Sequence, residues 1–266
     1  MAEPRRVLVL VKYVPDAAGE RSFADADSTT VRTTEGLLSE LDEYAVEEAL
    51  SLAESGGWEV TVATMGPEQA GAAIRKALQM GADAGIHISD EALHGTDALG
   101  TSAVLAAAVR KFSDEGGCDL LLCGMASTDA GMSVIPAMLA ERLGLPQVSF
   151  ASQLSVEGDT VRIRRDSETA TETIESRLPA VVSVTDQINE PRYPSFKGIM
   201  AAKKKPVTTW SLADLGIEPA EVGLAASWSP VTEVSKRPPR GQGTIITDDG
   251  EGGVALAEFL AAEKFI

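Results

Sequence analysis

The chain has 266 residues, 44% of them apolar, and a formal net charge of -17, which suits one large core or a core with a smaller appendage. So acidic a surface repels phosphate backbones and argues against nucleic acid as a partner. The longest apolar runs, VLVLV at 7–11 and DLLLC at 119–123, fall far short of the ~20 residues a spanning helix needs, so no membrane insertion is expected.

In MAEPRRVLVLVK two arginines precede an apolar run with no small-residue cleavage site after it. The run reads as a first strand rather than a leader, which places the protein in the cytoplasm, with the mitochondrial matrix as the alternative. VLVLVK at 7–12 is continuous and apolar, as a strand covered on both faces of a parallel sheet must be. Ser39 with Asp42 has the spacing of a helix cap, and Leu41, Tyr44, Ala45, Ala49 and Leu52 keep helical spacing up to Gly56-Gly57. A strand at 58–64 follows, then a helix opened by Pro67 and closed by Gly81. Strand 84–89, helix 97–112, strand 119–124 and a helix ending near Leu143-Gly144 complete a βαβ series. After Pro146 the alternation of QVSFASQLSVEGDTVRIRRD predicts an antiparallel hairpin turning at Glu157-Gly158-Asp159, so the sheet is expected to end in a mixed portion. LPAVVSVT at 178–185 returns to a buried-strand pattern. The expected fold is α/β: a mostly parallel, Rossmann-like, adenine-nucleotide-hydrolase-like sheet flanked by helices, with an antiparallel hairpin extension and a C-terminal arm. An α/β nucleotide-binding domain is expected over 1–217. From 218 to 266 an extended arm is expected, with Val254, Leu256, Phe259 and Leu260 forming a short helical stripe that needs an apolar surface.

Parallel sheets bind ligands beyond the carboxyl ends of their strands, so three exits matter: 12–16, 64–67 and 124–134. The last reads GMASTDAGMSV. Its glycines allow close backbone approach, and the free N–H groups of the next helix start suit a phosphate in a protein with few cations to offer. The same stretch also reads as an ordinary strand-to-helix turn. No GxGxxG follows the first strand and no GxxxxGK[ST] occurs, while His87 and His94 lack the partners of a catalytic triad. Cys118 and Cys123 belong to one apolar run and read as buried thiols, and no metal-ligand set is visible. No catalytic constellation stands out, so a free-standing ATP-binding α/β enzyme is the weaker alternative.

One segment runs against the charge of its surroundings. NEPRYPSFKGIMAAKKK at 189–205 holds five basic residues and one acid, with Tyr193 and Phe196 set among prolines and a glycine. A basic, aromatic, proline-braced loop is a docking element, and its alternative is a Phe tucked onto its own domain beneath solvated lysines.

VLVLVKYVPD, LDEYAVEEAL at 41–50, IRKALQMGAD at 74–83 and LPAVVSVTDQINEPRYPSFKGIMAAKKK at 178–205 resemble the β subunit of electron-transfer flavoprotein nearly end to end. The resemblance implies a heterodimer with an α subunit that holds most of the FAD. Such a carrier collects electrons from acyl-CoA and related dehydrogenases of fatty acid oxidation and passes them to a membrane quinone oxidoreductase. It is no enzyme of its own. By the same resemblance the recognition loop is 184–206, with Tyr193, Phe196, Lys197, Ile199, Met200, Lys203, Lys204 and Lys205 as docking residues. Phe196 takes the anchoring place where relatives often have leucine. The nucleotide positions carried over are Leu10, Ser39, Glu40, Leu41, Asp42, Met65, Gly124, Asp129, Gly131, Met132, Ser133 and Val134. Electron-bifurcating relatives hold a second FAD here and show an Asp-Gly-Asp-Thr-Ala-Gln-Val-Gly-Pro type loop. TDAGMSVIP lacks the second Asp, the Thr and the Gln, so AMP is expected. Ala17 stands where some relatives place an aromatic near the flavin.

Overall fold

Seven parallel strands with helices on both faces form the centre of the computed structural model, which describes residues 4–19, 21–32, 36–235, 237–239, 241 and 243–266. Residues 1–3, the start of the stretch read above for a leader, lie outside the described residues. β1 (Arg5–Leu10) is followed by two three-residue strands, β2 (Tyr13–Pro15) and β3 (Gly36–Leu38), paired as an antiparallel ribbon. Then come α1 (Glu40–Ser55), β4 (Trp58–Met65), α2 (Gly71–Met80), β5 (Ala84–Ile88), α3 (Ala98–Asp114), β6 (Leu120–Gly124) and α4 (Ile135–Leu143), in the alternation that the periodicity predicts. The runs Val7–Val9 in β1 and Leu120–Cys123 in β6 are continuously apolar and buried because both faces of these strands are covered. Val7, Val9, Val60 and Leu122 pack with α1 and α2, whereas Leu8, Ala63, Leu121 and Cys123 pack with α3 and α4.

The remaining elements are β7 (Gln147–Ala151), β8 (Gln153–Glu157), β9 (Thr160–Asp166), β10 (Thr171–Arg177), β11 (Ala180–Val184), α5 (Phe196–Ala202), β12 (Val207–Trp210), α6 (Gly223–Ala226) and α7 (Gly252–Ala262). The central order is β12-β5-β4-β1-β6-β11-β7, and every pairing in it is parallel. The sheet therefore has no mixed end. The predicted hairpin forms its own three-stranded antiparallel sheet, β10-β9-β8, with Val161 and Ile163 facing the core. The stretch that alternates smoothly in sequence divides here: β7 joins β11, Phe150 adopts a φ of 61°, and the register shifts between Val182 and Val184.

From β1 the chain moves through α1 to β4 and β5 on one side, then returns through α3 to β6 on the other. Strand order thus reverses between β1 and β6, and the crevice outside their carboxyl ends is where such sheets take ligands.

Contacts divide the chain into two units, the first ending at Thr232 and the second running over Glu233–Ile266. Residues 218–232 fall with the first unit: Val222 is buried, the Gly223 N–H donates to Thr96 Oγ1 at 2.9 Å, and the Leu224 N–H donates to the His94 carbonyl at 3.1 Å. In the second unit α7 buries none of its residues, and Val254, Leu256 and Phe259 are exposed. Among the described residues no helix is long and apolar enough to cross a membrane.

Candidate functional site

At the β1/β6 switch the start of α1 lies directly over the end of β6. A Cβ on Gly124 would sit 2.5 Å from Asp42 Oδ1 and 2.7 Å from the Leu41 carbonyl oxygen. Only glycine lets the helix come this close. Asp42 is buried and its Oδ2 accepts the Lys12 N–H at 2.8 Å, which ties the end of β1 to the same point. Ser39 occupies the cap position of α1, as its spacing predicts, but neither it nor Asp42 closes a cap. The buried Ser39 hydroxyl accepts the Thr128 N–H at 3.4 Å, while Asp42 accepts from the Lys12 N–H.

A charge cluster stands at the mouth. Asp129, with its side chain 5% exposed, accepts Lys12 Nζ at 2.8 Å on one oxygen and Arg32 Nη2 at 2.6 Å on the other. Ser127 Oγ lies 3.4 Å from Lys12 Nζ, and Arg21 Nη1 donates to the Thr128 carbonyl at 2.9 Å. Burial pulls the Asp129 carboxyl upward, but the Lys12 ammonium, the Ser127 hydroxyl and the Arg32 guanidinium outweigh it and hold the group well below the usual carboxylate range. Burial lowers the Lys12 ammonium against the pull of Asp129. Burial also pushes the Asp42 carboxyl up to about 7, opposed by the Lys12 N–H and ammonium. Lys12, Arg21 and Arg32 thus meet at this mouth around the ionised Asp129, with Asp42 buried behind them.

The loop that follows ends at Gly131, whose φ is 63° and whose Cβ position faces open space, and Ser133, whose φ is 57°. Val134 then opens α4 with no side-chain cap. Leu10 and Met65 at the ends of β1 and β4, and Leu41 in the first turn of α1, stay half-buried and add apolar surface beside the polar loop.

The basic segment occupies the connection between β11 and β12. Tyr193 and Phe196 are 91% and 81% exposed, and Ile199 and Met200 are exposed on α5. Lys197, Lys203 and Lys204 point into solvent as well. Lys205 does something else: its ammonium donates to the Leu78, Gly81 and Ala82 carbonyls at 3.2, 2.7 and 2.5 Å and so caps the end of α2. Arg192 is likewise engaged inside the chain, with Glu47 and Glu54.

The family model described as "Electron transfer flavoprotein domain" matches residues 28–215, well over half of the chain. This chain belongs to the electron transfer flavoprotein family. Over 98% of its length it is similar to the "Electron transfer flavoprotein subunit beta" of Mycobacterium tuberculosis (strain CDC 1551 / Oshkosh), at 45% identity covering 99% of that protein. The protein of the same name from Megasphaera elsdenii is 32% identical over 98% of this chain and 99% of its own length. The "Caffeyl-CoA reductase-Etf complex subunit CarD" of Acetobacterium woodii is 36% identical over 91% of this chain and 92% of its own. The end-to-end likeness is to subunit beta proteins, so the chain stands in the place of the carrier's β subunit.

In this electron transfer flavoprotein subunit the structure gathers Leu10, Ser39, Leu41, Asp42, Gly124 and Asp129 around Lys12. Glu40 is exposed on α1, Met65 ends the neighbouring strand β4, and Gly131, Met132, Ser133 and Val134 form the outer part of the loop. Ser127 belongs to the 124–134 loop that the sequence singles out, whereas Arg21 and Arg32 lie outside every stretch it marks. The arginines lie in a segment without periodicity, and their one signal is positive charge in an acidic chain.

Proposed function

We propose that this subunit pairs with an α subunit holding most of the FAD, binds AMP in the β1/β6 crevice, and presents the 189–205 loop to acyl-CoA and related dehydrogenases. Electrons gathered there pass on toward a membrane quinone oxidoreductase. The observation that carries the docking reading is the pair of exposed rings, Tyr193 and Phe196, on a loop fastened to the domain behind them. An exposed aromatic can supply much of the energy of a small interface, and Lys197, Lys203 and Lys204 steer the encounter without locking it. A weak, short-lived complex is what rapid electron turnover requires. The relative named for a caffeyl-CoA reductase complex supports a partner that handles CoA thioesters. The relatives named above are bacterial, which favours bacterial cytoplasm over the mitochondrial matrix.

The crevice residues fit a mononucleotide. Lys12, Arg21 and Arg32 meet at the mouth, and the loop into α4 offers backbone N–H groups for a phosphate. Leu10, Leu41 and Met65 offer the apolar side a purine needs. When bound, the flavin supplies the electron acceptance and donation, and this chain supplies binding, support and docking.

The test is Phe196→Ala in the co-expressed α/β complex. Its reduction by an acyl-CoA dehydrogenase should slow by about 30-fold, the scale of a central interface residue at ~2 kcal/mol, with bound flavin and melting unchanged. Wild-type kinetics in that variant would remove the loop from its role.

A further inference from the structure

We infer that Arg192, held by Glu47 of α1, is a positioning residue that sets the direction in which Tyr193 and Phe196 meet an electron donor. This rests on the docking reading above. Burial does little to place the loop, because α5 buries none of its residues and both rings are exposed. Polar attachments and the packing of α5 on α2 hold it instead. On the near side, Asn189 Nδ2 donates to the Tyr44 carbonyl and to Glu48 Oε2, each at 3.1 Å. On the far side Gly198 lies against the Gln79 carbonyl, where an added Cβ would be 2.5 Å from the oxygen, and Lys205 caps α2.

Arg192 is the attachment next to the rings. Its backbone N–H donates to Glu47 Oε2 at 3.0 Å, its Nε donates to the same oxygen at 2.8 Å, and its Nη2 donates to Glu47 Oε1 at 2.8 Å. One carboxylate therefore fixes both the main chain and the side chain of the residue from which Tyr193 leaves. Glu47 is 7% exposed, so the anchor is seated in the packed face of α1, whereas Glu54, which Arg192 also touches, is exposed and adds less. A guanidinium fork on a carboxylate fixes orientation as well as distance, which an ammonium does not. Rings held in place before the encounter lose less freedom on docking. With Arg192 and Lys205 engaged internally, steering falls to Lys197, Lys203 and Lys204, and positioning falls to Arg192.

The test uses the α/β complex and an acyl-CoA dehydrogenase pre-reduced with octanoyl-CoA. Arg192→Lys keeps the net charge, so its second-order rate should fall about tenfold while the slope of log rate against log salt stays the same. Adding Arg192→Lys to Phe196→Ala should slow the reaction by clearly less than the tenfold seen alone, because part of the arginine's effect passes through the Phe196 ring. In the free complex, amide exchange over 193–202 should speed up in Arg192→Lys with exchange in β1 and β6 unchanged. A wild-type rate beside a slow Phe196→Ala, or losses that simply add in the double variant, overturns the inference. Should Phe196→Ala itself be silent, the docking reading fails and exchange alone decides: unchanged exchange over 193–202 in Arg192→Lys overturns the positioning role.

Discussion

Gly124→Ala tests whether the crevice is built on the close approach of α1 to β6. The added methyl would lie 2.5 Å from Asp42 Oδ1, 2.7 Å from the Leu41 carbonyl oxygen and 2.9 Å from the Leu41 carbonyl carbon. Two of the three are backbone atoms in a helix start, so they cannot rotate away. Restoring ordinary contact requires shifts of about 0.5–0.9 Å, and overpacking of this kind costs about 1–3 kcal/mol. Displacing Asp42 also strands the Lys12 N–H, a further ~1 kcal/mol or more for an unpaired buried donor. A total near 3 kcal/mol, at about 2–4 °C per kcal/mol for a unit of this size, lowers Tm by about 6–12 °C. The assay is calorimetry of the α/β complex with nucleotide release after denaturation, beside Gly243→Ala as a control, where a Cβ meets nothing. The variant should melt early and release less AMP than wild type. Melting within about 1 °C of wild type with full nucleotide content would refute the reasoning.

Asp42→Asn removes a group that burial pushes up to about 7, well above the ordinary carboxylate value of 3.8. A carboxyl raised on folding favours the protonated native state, so wild type loses stability as pH rises from about 4 to about 7 and changes little beyond. The Tm difference, Asn variant minus wild type, should therefore climb over that window and level off above it; a flat difference would mean that Asp42 is not held in a dry site. Lys205→Gln removes the ammonium from three carbonyls at the end of α2 and should cost about 1–2 kcal/mol in chemical denaturation. Its salt dependence of docking should match wild type, whereas Lys203→Gln and Lys204→Gln should flatten it without touching stability.

Most of the central sheet was legible because buried parallel strands carry apolar runs, continuous in β1 and β6 and broken only by short polar residues and His87 in β4 and β5, between helices that end at glycines. The split between β7 and β8 was not, since QVSFASQLSVE alternates without a break and nothing in it announces the positive φ at Phe150. The β2–β3 ribbon was also hidden, because strands of three residues carry no period. Asp129 was found by family likeness, but its partner Arg32 lies 97 residues earlier in a patternless stretch. In Lys203-Lys204-Lys205 the three side chains are chemically alike, and only the packing of α5 on α2 turns the third inward. The exposure of Phe196 follows from its neighbours: prolines and a capped seven-residue helix leave no apolar bed for it.

The most direct test is a hydrogen-exchange footprint of an acyl-CoA dehydrogenase on the α/β complex. Protection centred on residues 192–204, with the β8–β10 sheet unchanged, is the predicted result. Protection confined to other faces while 192–204 exchanges as in the free complex would contradict the account.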